Sequence, residues 1–212
     1  VYFQSKKKII KLPVTSFISS GAVFLLVESR HLEVYLLGAF VAMLSKYFIQ
    51  INDRHVFNPG NIGTLFVILL LPIYAVSVPS QWGGGIEIIL VMITLGIIAT
   101  LWAGRGWLSF SYIFGFAFFS FLRSHFYNIE PLFLIGTLLG APSILFMFHM
   151  INDPVTTPER TSHQIYFGML VAFGDFLLRK NEIIYAPLIS LALVSALWPL
   201  IKFTKLVNKS VG

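Results

Sequence analysis

The sequence predicts an all-α integral membrane protein of about eight transmembrane or half-spanning helices with an internal repeat, and three observations predict it. Of the 212 residues only 11% are charged while 57% are hydrophobic, and the mean hydropathy is +0.82. A soluble domain carries roughly 25% charged residues, so the chain is short of the polar side chains that would coat a water-soluble particle. Runs such as Ile86 to Ala103 are apolar on every side, which fits helices and not the ~10-residue alternating strands of a membrane barrel. Finally, Ile51-Asn52-Asp53 recurs as Ile151-Asn152-Asp153, 151 − 51 = 100 residues later. Each copy ends an apolar stretch and opens a short polar loop containing proline.

The elements follow in order. Val1-Tyr2-Phe3-Gln4-Ser5 resembles the tail of a tobacco-etch-virus protease site, so residues 1–5 are set apart as a tag remnant. Residues 6–212 form a single transmembrane domain with repeat units near 12–104 and 107–201. A crossing helix needs about 20 apolar residues, and as few as ~17 in some cases. The expected segments are 12–29, 32–51, 61–78, 86–104, 107–122, 131–150, 163–178 and 183–201. Arg30-His31 separates the first two, and Pro79 to Gly85, with Trp82 as an interfacial anchor, separates the third and fourth. Gly104-Arg105-Gly106 is expected as a tight turn, Arg123 to Pro131 as a longer polar one, and Asn181 closes the seventh segment. The third and seventh segments are read as short, each following one of the duplicated loops. Such interrupted helices at matching positions of two halves point to a transporter-type binding site. The apolar stretch after Lys11 lacks a small-residue cleavage site, so no cleaved leader is expected.

Charge gives orientation. With eight crossings, one side collects Lys6, Lys7, Lys8, Lys11, Lys46, Arg54, Arg105, Arg160, Lys202, Lys205 and Lys209, and the other Arg30, Arg123, Arg179 and Lys180. This split of 11 against 4 places both termini in the cytoplasm by the positive-inside rule, in a bacterial inner membrane. It accounts for the net charge of +6 by topology and lipid headgroups, so nucleic acid is not an expected partner. Eight full crossings make the repeat parallel; a re-entrant loop makes it inverted. The absence of cysteine removes disulfides, thiolate metal sites and iron–sulfur ligation.

The two loops carry the candidate site. Asn58 precedes Pro59, and Thr157 precedes Pro158, which is a helix-start signature because proline at the first position forfeits an amide that had no partner. Gly60 permits close backbone approach. Helix starts present free amides and a positive dipole end, suited to a phosphate, carboxylate or polarised carbonyl. Two of them facing one another would form a polar pocket at a depth where polar groups are costly; the plainer alternative is a pair of ordinary capped turns. The site residues are Asn52, Asp53, His55, Asn58, Gly60, Asn61, Thr64, Asp153, Thr156, Thr157, Arg160 and His163, all as ligand-binding groups.

Other residues have plainer readings. Lys46 is expected to reach the interface. His55, His149 and His163 lack the i, i+3 or i, i+4 spacing of a helical metal site, so no metal is assigned and capping or hydrogen bonding is expected. Asp175 is within reach of Arg179 at i+4 as a structural pair, and Glu33 and Glu87 start segments, where carboxylates suit the dipole. The run Phe110 to Phe121 suits lipid contact and helix packing, with a flat cofactor or quinone as the alternative. Gly115 and the Gly136/Gly140 pair mark expected close helix packing. No catalytic triad, Walker loop, dinucleotide fingerprint or zinc-protease motif is present, and no catalytic residue is assigned.

The stretches His55-Val56-Phe57-Asn58-Pro59-Gly60-Asn61-Ile62-Gly63 and Asp153-Pro154-Val155-Thr156-Thr157-Pro158, with Tyr166-Phe167-Gly168-Met169-Leu170, carry a resemblance. Over residues 45–200 the chain resembles the membrane subunits of flavin–quinone complexes, namely the FMN-carrying ones of the sodium-pumping NADH:quinone reductase and of the Rnf electron-transport complex. Val76-Ser77-Val78-Pro79-Ser80-Gln81-Trp82-Gly83 looks like a shorter branch, which includes membrane proteins encoded in enediyne biosynthesis clusters. The resemblance implies a repeated helical fold related to urea transporters, and a flavin in the membrane domain. Larger members attach FMN to a threonine in a Ser/Asp-Gly-Ala-Thr motif; here Gly140-Ala141-Pro142-Ser143 has proline at that place, and the usual ten spans are about eight. Covalent FMN is therefore not expected. Noncovalent FMN or riboflavin, a quinone, or no redox cofactor at all are the alternatives left by the resemblance, with other redox subunits or a soluble electron carrier as partners alongside the lipid bilayer; a homo-oligomer is compatible. The alternative function is a channel or transporter for a small vitamin- or urea-like solute, and a subunit that only assembles partners is a third.

Overall fold

The computed structural model describes residues 2–5, 8–11, 14–51, 54–77 and 85–210, and side chains over 16–51, 54–77 and 85–199. Asn52, Asp53 and the expected Trp82 anchor lie outside the described residues. The chain is 75% helical. Among the described residues it has nine α-helices: α1 (Val14–Leu26), α2 (Leu32–Phe48), α3 (Pro59–Leu70), α4 (Ile86–Trp102), α5 (Gly106–Tyr127), α6 (Pro131–Gly136), α7 (Ala141–Leu145), α8 (Thr161–Lys180) and α9 (Ala186–Ser210). Two short antiparallel pairs complete it: β1 (Tyr2–Ser5) with β2 (Lys8–Lys11), and β3 (Gln50–Ile51) with β4 (Arg54–His55).

Each expected segment contains or overlaps a helix, with four corrections, the first being that segment 107–122 runs on as α5 to Tyr127, into the polar turn expected from Arg123 to Pro131. Segment 61–78 stops at Leu70, because Pro72 biases the residue before it out of the helical region; Leu71 sits at φ −123°, ψ 51°. Segment 131–150 is broken. Gly140 is extended, Pro142 follows at the start of α7, and the two halves Pro131–Leu139 and Ala141–Met150 are inclined by 67°. Segment 163–178 is longer than expected, since α8 runs 20 residues.

Among the described residues no single helix is long and apolar enough to cross a membrane. The bent pair meets that test by length and composition, and Ser16–Leu26, Pro59–Leu70, Ile86–Trp102 and Ala186–Pro199 are shorter apolar helices. The two longest helices with described side chains, α5 and α8, carry Arg123 and the Asp175, Arg179, Lys180 set within them.

Packing builds two groups. In the first, α2 lies on α3 and α1 covers both; in the second, α5 lies along α8 in the most extensive helix contact of the fold. α9 ties the groups together by packing on both α8 and α3, while α4 packs on α7 and α5. The glycines explain how closely these helices approach. A Cβ at Gly168 would strike Ser111 Oγ and lie 2.7 Å from Leu108 O, and one at Gly115 would lie 2.7 Å from the Ala172 Cβ. Gly115 thus packs closely as expected, whereas Gly136 has nothing within 4 Å and Gly140 marks the break. Phe167, Leu108 and Ile144 are fully buried between these helices.

Helix starts recur near a fixed spacing. α2 and α6 begin at Leu32 and Pro131, α3 and α8 at Pro59 and Thr161, and α4 and α9 at Ile86 and Ala186. One end of the molecule, here the loop end, gathers both polar loops and the Gly104-Arg105 turn. The far end holds the bridge between Glu28 and Val76 in one group and, in the other, the bond from the Tyr127 hydroxyl to Lys180 O at 2.8 Å. Arg54, Arg105 and Arg160 lie at the loop end, and Arg123, Arg179 and Lys180 at the far end of α5 and α8.

Candidate functional site

The two loops meet directly. Arg54 donates from Nε to Val155 O (2.9 Å), from Nη2 to Pro154 O (2.9 Å) and from Nη1 to Glu159 Oε1 (3.1 Å). His55 Nε2 faces Asp153 Oδ2 at 3.4 Å, and Asn58 Nδ2 donates to Met150 O at 3.1 Å. These side chains clasp one loop to the other. Two clefts among the described residues lie elsewhere, at the far end.

Asn58 caps α3 as the sequence predicts: its Oδ1 accepts from the Asn61 amide at 3.0 Å, and Pro59 stands at the first helical position. The second expected start, at Thr157-Pro158, is corrected. Thr157 Oγ1 instead donates back to Asp153 O at 2.6 Å, Asp153 Oδ1 accepts from Val155 N at 3.0 Å, and α8 begins only at Thr161. A side chain bonded to the backbone of its own turn competes with helix initiation. Arg160, the residue before α8, is exposed and makes no capping bond.

Beneath the clasp lies a buried polar layer. Pro154 O accepts from Arg105 Nη2 at 3.1 Å as well as from Arg54. Gln164 Nε2 donates to Gly104 O (2.9 Å) and Glu159 O (3.0 Å), so Arg105 and Gln164 are neighbours under the same loop. Arg105 is 6% exposed and Gln164 2%, and Arg105 Nε and Gln164 Oε1 both lack partners. Burial lowers the Arg105 pKa below its usual value, opposed by the Glu159 carboxylate; a guanidinium still keeps its charge. Asn61 and Thr64, one turn apart on α3, are also buried: Asn61 Nδ2 donates to Leu188 O at 3.0 Å, while Asn61 Oδ1 and Thr64 Oγ1 are unpaired.

Asn152 organises the other side. Its Nδ2 lies within bonding distance of Thr100 Oγ1 (2.9 Å), Ser109 Oγ, Met147 O (3.0 Å) and Phe148 O (3.1 Å). Two protons serve two of these four. The hydroxyls are the consistent pair, because Thr100 donates onward to Phe148 O (3.2 Å) and Ser109 to Met147 O (2.7 Å). Those carbonyls lie in a π turn over Phe146–Met150, where Ile151 N bonds back to Phe146 O at 3.1 Å. Asn152 therefore stitches α4 and α5 to the broken segment.

Of the sequence-predicted residues, Asn58, Gly60, Asn61 and Thr64 share the start of α3, and His55, Asp153, Thr156 and Thr157 share the clasp. Thr156 Oγ1 is 3.4 Å from Asp153 O. His163 lies apart, with its ring edge-on to Trp198 at 5.9 Å. Among the described residues no three His, Cys, Asp or Glu side chains gather to hold a metal. Sequence reasoning missed Arg105, Gln164 and Asn152 as site residues. Their signal was a polar side chain beside a glycine turn or one residue from a named histidine or aspartate, which does not separate burial from exposure. The chain matches no family model and no curated protein.

Proposed function

We propose that this chain is an integral membrane subunit of the electron-transfer type, built from two parallel four-helix halves, and that its buried polar layer binds a flavin noncovalently. Several features support the membrane reading. Helices α5 and α8, of 22 and 20 residues, are ~33 and ~30 Å long at 1.5 Å per residue, the thickness of a bilayer core. Bulky apolar side chains face outward along the helices, including Phe40, Leu95, Trp102, Phe110, Phe114, Phe118 and Phe121, far more than a soluble surface shows as isolated residues.

The common helix spacing supports the repeat, and the contacts favour its parallel form. Arg54 meets Pro154, Asn58 meets Met150, and Asn61 meets Leu188. Ser190 bonds to Val171 and Trp198 touches Phe167, so α9 runs antiparallel to α8 and Leu188 lies well below the loop end. α3 thus descends from the loop end in the same sense as α8.

The flavin reading rests on one observation: in the polar layer under this loop, a buried donor, Arg105 Nε, and a buried acceptor, Gln164 Oε1, both lack partners. Buried polar atoms of this kind are completed by a ligand or an ordered water. A donor and an acceptor left open in the same layer match in kind an imide edge, which the flavin pyrimidine ring carries; a quinone, with carbonyl acceptors alone, would leave Gln164 Oε1 unmet. The chain's hydrogen-bonding groups fit a flavin edge in chemistry, and the Arg54 clasp must open to admit it. Bound there, the flavin would supply electron transfer. Arg105 and Gln164 would hold its polar edge, Asn61 and Thr64 would offer further polar contacts, and Arg54 would close over it. FMN or riboflavin added to the detergent-purified full chain should bind, and Arg105→Lys, which keeps the charge but lacks Nε, should weaken binding about tenfold, the equivalent of one lost hydrogen bond. No binding to the wild-type chain would refute the proposal.

A second reading, transport of a small solute with the same edge, is favoured by the 67° break between α6 and α7, in the segment whose Met150 end meets the capped start of α3. Discontinuous helices of this kind build transporter sites. Flux of such a solute into proteoliposomes, lost in Gln164→Leu, would favour it over electron transfer.

A further inference from the structure

At the far end, Asp175 is 1% exposed and accepts from Arg179 Nε at 2.7 Å and from the Tyr112 hydroxyl at 3.3 Å. Arg123 on α5 is 9% exposed and lines the same cleft, yet its guanidinium donates to none of the described residues. Arg179 is further occupied by the Phe116 ring, 5.3 Å below its guanidinium carbon. Two guanidiniums thus face a single carboxylate that is already shared, leaving an excess of one positive charge against walls made by Phe116, Phe119 and Phe176. A buried cation without a counter-charge is costly. The cleft encloses about 10 Å³, room for one oxygen-sized group.

We infer that Arg123 and Arg179 bind the phosphate of an anionic phospholipid, one phosphate oxygen entering the cleft between them. The inference rests on the membrane reading above, which sets this end of α5 and α8 at headgroup level. Guanidiniums match phosphate oxygens in planar, charge-assisted hydrogen bonds. An anionic headgroup with one net negative charge balances the local excess, whereas a zwitterionic headgroup brings its own ammonium and does not.

The test measures Tm of the full chain in detergent with added phosphatidylglycerol, phosphatidylcholine, inorganic phosphate or chloride at matched ionic strength. Phosphatidylglycerol should raise Tm by about 5 °C near saturation and phosphatidylcholine should not; the rise should vanish in Arg123→Gln and partly return in Arg123→Lys. An equal rise with inorganic phosphate alone would support the anion site and overturn its assignment to lipid. Equal responses to all four additions, or an undiminished rise in Arg123→Gln, would overturn the inference. Native mass spectrometry of the wild-type chain reads the same point if the variants fail to fold: retained phosphatidylglycerol supports it, and indiscriminate retention of both lipids counts against it. Carbonate washing separates the two claims. A chain released from membranes defeats the membrane reading, whereas a retained chain indifferent to lipid class defeats only this site.

Discussion

Gly168 lies where α5 and α8 approach most closely, and Gly168→Ala should loosen that contact. The added methyl would collide with Ser111 Oγ and lie 2.7 Å from Leu108 O and 3.1 Å from Tyr112 N. The hydroxyl can rotate away, at the expense of its 2.9 Å bond to Leu108 O. The carbonyl cannot, so the helices must separate by about 0.7 Å, the difference between 2.7 Å and an ordinary 3.4 Å contact. Overpacking of this kind costs about 1–3 kcal/mol, and the lost hydroxyl bond about 1. The better helix propensity of alanine offsets about 1 kcal/mol. The net loss of about 1–3 kcal/mol corresponds to a fall in Tm of roughly 2–4 °C per kcal/mol for a chain this size. Gly136→Ala is the matched control, since nothing lies within 4 Å of its new methyl. Both proteins would be melted in the same detergent by intrinsic fluorescence. Equal Tm values for the two variants would refute the packing argument.

Three further outcomes follow from the loop end. Asn152→Ala removes a donor to the Thr100 and Ser109 hydroxyls but leaves both still serving the π-turn carbonyls, so it should cost only about 1–3 kcal/mol in a denaturation midpoint; a loss beyond ~5 would show that the turn itself collapses. Asn58→Ala removes the α3 cap and the bond to Met150 O, for about 2 kcal/mol together, and Asn58→Asp should restore the cap share; an Asp variant no better than Ala would contradict the capping geometry. Arg54→Ala should lower Tm by only about 4–10 °C, because all three of its bonds are exposed: the Glu159 pair contributes ~0–1 kcal/mol and the bonds to Val155 O and Pro154 O about 1 kcal/mol each. It should nevertheless speed proteolysis within residues 153–160, and unchanged cleavage would mean that the clasp does not hold the loop.

The helix pattern was largely legible because apolar runs and their Gly, Pro and charged breaks follow directly from hydrophobic length. The Asn58-Pro59 start was legible for the same kind of local reason. Thr157-Pro158 carries the same letters and starts no helix, because Asp153 captures the Thr157 hydroxyl within the loop; a two-residue signal does not reveal which acceptor wins. The break at Gly140 was hidden inside a continuous apolar run, since bending leaves hydropathy unchanged. The duplicated loops meet as a clasp and not as two facing helix starts around an open pocket. That difference depends on Arg54 reaching carbonyls about 100 residues away, which only the packing of α3 beside α9 decides. Arg105 and Gln164 escaped for a related reason: one sat in a glycine turn and the other on a mixed helix face, and burial of either needs the covering loop.

The most direct test of the central claim is the absorption spectrum of the detergent-purified full chain, before and after denaturation, with mass analysis of whatever is released. A flavin band is expected in the native protein, with free FMN or riboflavin in the denatured extract and none left on the polypeptide, and Arg105→Lys should need about tenfold more flavin for the same band. A chain that carries no flavin as purified and takes up none when FMN or riboflavin is supplied would contradict it.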